Sequence, residues 1–242
     1  MSLSLPCPPS ARNLTYDLTI VQQPLHARMC GFGDKDRRPV DPPPILQLHI
    51  REPGEERIKV QVDTTLLVVH VDLTYPDGSC SDPESSLAST FPDPITGHPT
   101  RNLLGTIMGS ACHLQGTNRE LGIYYIFSDL SIRTEGIYQL GFTLMNLEGG
   151  EIGEAKVVAQ AYSKPFTVYP PKRFPGMTES TPLSRCLAQQ GIRIPIRKGS
   201  KGRGLEGSVE IDGLEEGGEE KAGRKNSGLR TRGEEGEEET RE

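Results

Sequence analysis

Tryptophan is absent from these 242 residues, and aromatic residues of every kind reach only 5%. Any core must therefore be filled mainly by Leu, Ile and Val. No apolar run approaches the ~18 residues that a membrane helix needs, so no membrane association is expected. The N-terminus, MSLSLPCPPS, has neither a basic n-region nor an apolar h-region, so no signal peptide is read there. The cysteines are odd in number and far apart: Cys7, Cys30, Cys80, Cys112 and Cys186. No CxxC pair exists, which excludes zinc-ribbon spacing; reduced thiols in a nucleus or cytosol are expected. Catalytic motifs are missing too. There is no GxSxG, HExxH or P-loop, and GFGDKD at 31–36 stops short of the third glycine of a dinucleotide fingerprint. The chain is not read as an enzyme, and neither a cofactor nor a metal is expected. Adjacent Cys112 and His113 supply two ligands, which do not make a site. His70, inside an apolar run, reads as a satisfied or half-exposed strand histidine.

An excess of positive charge is also lacking, since the formal net charge is −6. Its distribution is uneven. Residues 1–199 hold 19 Lys+Arg and 20 Asp+Glu, whereas residues 200–242 hold 8 and 13. The acidity sits mostly in the tail, and the rest is near neutral. Nucleic-acid binding would have to come from a local basic patch.

Turn-forming residues are abundant. Glycine (27) and proline (20) make up about 19% of the chain, as in loop-rich all-β domains. Residues 1–13 read as a disordered arm. Leu14–Val21 alternates apolar and polar residues, the period of a half-buried strand. Ile45–Ile50 and Ile58–Val62 alternate likewise. Leu66–Leu73, LLVVHVDL, is nearly continuous and is expected inside a sandwich. Tyr75–Arg101 has no periodicity, and Asn102–Leu114 is read as one Gly-broken strand. Ile123–Phe127 with Leu130–Arg133 reads as one bent strand. Ile137–Met145, Ala155–Tyr162 and Pro165–Tyr169 complete seven to nine short strands, which suggests a sandwich.

One helix is predicted, over Thr178–Gln190. Ser180 or Thr181 caps it, Pro182 suits its first turn and Gly191 its end. Leu183 and Leu187, with Cys186 beside them, form the face expected to pack on the sandwich. Ile192–Lys198 reads as an extended closing segment. From Gly199 onward apolar residues are too few to offset chain entropy, and disorder is expected over 199–242. The cluster Arg197–Arg203 has two readings, a nuclear import signal or a solvated linker.

The densest stretch is Arg28–Ile45, RMCGFGDKDRRPVDPPPI. Gly31 and Gly33 permit turns that other residues resist. Arg28, Lys35, Arg37 and Arg38 are interleaved with Asp34, Asp36 and Asp41, and Pro42–Pro44 stiffen the exit. The cations have two readings. They form a solvated loop paired with those aspartates, or they contact phosphates and base edges, for which the arginine fork is suited.

This stretch, with Gln22–Pro24 before it, resembles the signature of the velvet family of fungal developmental regulators. A second block, Lys172–Lys198, KRFPGMTESTPLSRCLAQQGIRIPIRK, is similar to the family as well. The resemblance covers about Leu14 to Lys198. It implies an all-β fold, an immunoglobulin-like, Rel-type β-sandwich, to which the residues themselves add one short C-terminal helix and a disordered tail. It implies nuclear location and control of development, sporulation and secondary metabolism. It also implies binding to double-stranded DNA as a homodimer or as a heterodimer with another velvet protein. The alternative is an interaction subunit of a velvet complex with little DNA binding of its own. The expected DNA contacts are Arg28, Lys35, Arg37 and Arg38, with Lys172 and Arg173 adding backbone contacts. The compact Tyr75–Arg101 region disfavours the VelB type; the VelC type is favoured, with the VosA type as alternative.

Overall fold

The structure, a computed structural model, describes residues 14–33, 37–52, 63–76, 90–94, 96–147 and 155–198. The predicted arm at 1–13, the strand at 58–62, the tail from 199, and Asp34, Lys35 and Asp36 lie outside the described residues.

Two sheets face each other. The first has the order β1 (Thr15–Gln22), β3 (Ile45–Arg51), β10 (Leu121–Ile126), β9 (Cys112–Gln115). The second has the order β2 (His26–Arg28), β14 (Phe166–Tyr169), β12 (Gly136–Asn146), β4 (Leu67–Thr74), β8 (Met108–Ser110). β13 (Lys156–Tyr162) lies along the same edge of β12 as β14. Between them Ser163 is buried, receiving Leu140 N–H on its Oγ at 2.9 Å. β13 and β14 thus run along one side of β12 as a single strand interrupted at Ser163–Pro165, with β2 beyond β14. Two short pairs complete the fold: β5 (Thr90–Pro92) with β6 (Pro99–Arg101), and β7 (Leu103–Leu104) with β11 (Ser131–Ile132).

The two-residue period decides what is buried. Leu46, Leu48 and Ile50 of β3 and Ile123 and Tyr125 of β10 face inward. They meet Val69, Val71 and Leu73 of β4 and Leu140, Phe142 and Leu144 of β12. The chain is an all-β sandwich, as its alternation predicts. Leu66–Leu73 differs from expectation, because only alternate residues are buried. Leu66 is exposed and His70 sits half-buried on the outer face, its Nδ1 3.1 Å from Asp72 Oδ2.

Asn102–Leu114 is not one strand. It supplies β7, β8 and β9 to three different sheets. Gly105 is one cause: it holds φ +111°, and a Cβ there would meet Asp129 O at 2.5 Å. The chain must turn at that point. The bent strand read over 123–133 likewise divides into β10 and β11. Alternation along β9 points Cys112 and His113 to opposite faces.

The helix α1 (Pro182–Gln189) starts four residues later than predicted, after Thr181, whose Oγ1 accepts Ser184 N–H at 3.0 Å. It covers the outer face of the first sheet. Leu187 and Ile194 join Ile45, Leu114 and Tyr124 in a second, smaller core, with Leu183 and Cys112 against it.

Candidate functional site

The two dense blocks of the sequence meet at one end of the second sheet. β2 pairs in parallel with β14, in register His26–Thr167, Ala27–Val168, Arg28–Tyr169. Arg28 therefore lies on a strand rather than in the loop where the sequence reading put it, and it is half-buried. Past this pair, one chain enters the basic loop and the other passes Pro170 and Pro171 to Lys172 and Arg173. Both of these cations are exposed, and Arg173 Nη2 lies 3.3 Å from Glu135 Oε2.

Backbone bonds fasten the loop at both ends. Met29 N–H donates to Tyr169 O at 2.8 Å, Cys30 N–H to Ile132 O at 2.9 Å and Gly31 N–H to Arg133 O at 3.0 Å. At the far end Val40 N–H donates to Leu130 O at 2.7 Å, and Ser131 Oγ to Arg38 O at 3.0 Å. Arg37 and Arg38 between these fastenings are exposed. The Cys30 thiol is pushed up by burial, which outweighs the opposing pull of Arg133 and Arg37.

Arg133 was not singled out in the sequence. Its Nη1 donates to Gly31 O and its Nε to Arg101 O, both at 3.0 Å. Its guanidinium lies 5.4 Å from the Phe32 ring centroid. One side chain thus ties the start of the loop to β6 and β11. Its only sequence signal was a cation ending a strand.

Asp41 corrects a second expectation. It does not neutralise the loop cations. It is 1% exposed and faces the C-terminal segment. Oδ1 accepts Arg197 Nη1 at 2.8 Å, and Oδ2 accepts Thr178 Oγ1 at 2.7 Å. Arg197 is accordingly neither a solvated linker residue nor freely presented as an import signal. His26 Nε2 is buried 3.5 Å from Asp41 Oδ2, without a hydrogen-bond partner among the described residues. The His26 ring meets Phe174 edge-on at 5.4 Å.

Gln22, noted only as part of a signature, is a buried junction. Its Nε2 donates to Pro43 O at 2.7 Å and to Ser184 Oγ at 2.9 Å, and its Oε1 accepts from Thr181 Oγ1. The start of α1, the proline exit and the end of β1 are joined through one amide.

Among the described residues, no three His, Cys, Asp or Glu side chains gather where they could hold a metal ion. Among them also, no helix is long and apolar enough to cross a membrane.

The structure is thus a two-sheet sandwich that carries a cation-bearing loop at one end, and loops held on such rigid scaffolds are where binding chemistry generally sits. The family profile described as Velvet factor matches residues 16–90 and 82–201. The chain belongs to the velvet family. It is 41% identical over 193 residues to "Sexual development regulator umv3" of Mycosarcoma maydis, covering 78% of this chain and 46% of that protein. It is 32% identical over 291 residues to a protein of Aspergillus flavus named as a velvet complex subunit, covering 78% and 81%. The velvet complex subunit of the same name from Emericella nidulans is 32% identical over 309 residues, covering 83% and 84%.

Proposed function

We propose that this protein is a non-enzymatic regulator of fungal development that acts in the nucleus on promoter DNA. It binds double-stranded DNA through Arg28, Lys35, Arg37, Arg38, Lys172 and Arg173. It does so as a homodimer or paired with another velvet protein, and its targets include sporulation and secondary-metabolism genes. The observation that carries the reading is the parallel β2–β14 pair. It brings Arg28 beside Tyr169, so that the segments carrying Arg37 and Arg38 and carrying Lys172 and Arg173 leave the same end of one strand pair, although some 140 residues separate them in sequence. A near-neutral domain needs such local convergence to attract a polyanion. Arginine at a loop tip can address both phosphates and guanine edges.

Relatives named as velvet complex subunits support a velvet partner. Those two relatives carry segments that this chain lacks, and we read the short 75–101 stretch as the place of that difference. Aligning 78% of this chain takes 193 positions with the Mycosarcoma protein but 291 with the Aspergillus flavus protein. The two family matches meet at residues 82–90, within that region.

The test is a titration of duplex DNA at two salt concentrations beside Arg37→Ala/Arg38→Ala. If four side chains each neutralise one phosphate, log K falls with log salt at a slope of about −3.6. Going from about 50 to about 200 mM salt then weakens binding on the order of 100-fold. The double variant should fold normally and lose most of this affinity. Unchanged binding by that variant removes the site assignment. Absent or salt-insensitive binding by the parent chain favours the alternative, an interaction subunit that reaches DNA through its partner.

A further inference from the structure

Beside the loop lies an open groove of about 950 Å³. Its lining is dominated by Met29, Phe32, Tyr75, Tyr138, Pro170 and Pro171. The Tyr75 and Tyr138 rings tilt together with centroids 5.6 Å apart. Tyr138 is buried, and its hydroxyl lies 2.7 Å from Thr134 Oγ1. Tyr75 leaves 46% of its surface in water. The charged lining is Arg133, Lys172 and Arg173 against one carboxylate, Glu135, which Arg173 already engages.

Duplex DNA does not explain this combination. Phosphates call for the cations but leave an aromatic–proline floor wet. A purely apolar ligand would strand the cations. The groove suits a ligand with an apolar body and carboxylates beside it.

We propose that the groove docks an acidic peptide segment of a protein partner, anchored by a Phe, Tyr or Leu side chain. The anchor packs on the exposed Tyr75 ring, which Tyr138 backs from within, between Met29 and Pro170, and excludes water from Tyr75. Flanking carboxylates meet Lys172 and Arg133. The basis is charge complementarity, three lining cations to one engaged carboxylate, around an aromatic floor. Lys172 and Arg173 are also assigned to DNA, so peptide and duplex exclude each other. That exclusion rests on the DNA reading; the docking itself does not.

The experiment is fluorescence anisotropy of the full chain with a short labelled peptide in which phenylalanines are flanked by glutamates. Saturable one-to-one binding is expected. Tyr75→Ala should weaken it at least about tenfold, the loss typical of a truncated aromatic hot spot, while Tyr75→Phe keeps it. Replacing the peptide's phenylalanines by glycine should weaken it equally, and this arm needs no change to the protein. The peptide should displace labelled duplex from the parent chain. Tyr75→Ala should bind duplex normally and resist that displacement. No saturable binding overturns the proposal. So does binding that survives loss of the phenylalanines, which would be charge attraction alone. Peptide binding without any duplex binding leaves the docking site standing and removes the DNA reading.

Discussion

Arg197 places Nη1 2.8 Å from Oδ1 of Asp41, a carboxylate whose side chain is 2% exposed, and the two residues are 156 positions apart. This contact closes the C-terminal segment onto the exit of the basic loop. The same carboxylate receives the Thr178 hydroxyl on its other oxygen, so it is well satisfied despite its burial.

Removing one partner of a buried ion pair strands the other, at a cost of about 3–5 kcal/mol. Arg197 is 29% exposed on its side chain, so water recovers part of that cost. Arg197→Ala is expected to lower unfolding stability by about 2 kcal/mol, and Asp41→Asn by a similar amount. The double variant should lose less than the sum, because the two share one interaction. Urea unfolding of the four proteins measures this. Additive losses would mean that the pair is not coupled.

Arg133 gives the second prediction. Its fork reaches Gly31 O and Arg101 O together and lies over Phe32. Lysine keeps the charge but has neither the fork nor the flat face. Arg133→Lys should therefore speed amide hydrogen exchange at Met29, Cys30 and Gly31 while the β4 and β12 amides stay protected. Under the DNA reading it should also weaken specific duplex binding about tenfold, with the salt slope kept, since net charge is unchanged. Unaltered exchange in the loop would show that Arg133 does not position it.

The third prediction concerns alkaline pH. Tyr125 is fully buried, its hydroxyl donates to Leu67 O at 3.3 Å, and burial pushes its ionisation well above the ordinary tyrosine value. Burial also raises Tyr124. A raised acid keeps its proton in the folded state while the unfolded chain loses it. The unfolded state then binds fewer protons, so stability falls as pH rises past about 10, the unfolded tyrosine value. Each such group contributes a slope of up to about 1.4 kcal/mol per pH unit between its two values. Below about pH 9 these groups contribute no pH dependence. Tyr125→Phe should flatten the alkaline limb of a plot of urea midpoint against pH. An unchanged limb would mean that Tyr125 does not cause it.

The strands that the sequence revealed are those whose pattern is local. Thr15–Gln22, Ile45–Arg51 and Gly136–Asn146 each carry their own alternation, because one face meets the core and the other is turned away from it. The capped helix was legible for the same reason, through Thr181, Pro182 and Gly191. Its start was misplaced, because residues 178–180 are held by Asp41 and Arg197 instead of by helical bonds.

What escaped the sequence is what depends on distant partners. β2 is three residues long with no period of its own, and it exists because β14 lies beside it. Residues 102–114 read as one strand, yet 108–110 pair with β4 and 112–115 with β10, in different sheets. The order of residues by itself determined the sandwich class, the helix and the cation-rich loop, since alternation, caps and charge are written in adjacent positions. Only the tertiary structure decided that Arg133 clamps the loop, that Asp41 belongs to Arg197 and that Lys172 borders the same groove as Tyr75. Those pairings are hydrogen bonds, charges and ring contacts between segments 30 to 160 residues apart, and no local pattern encodes which of them will meet.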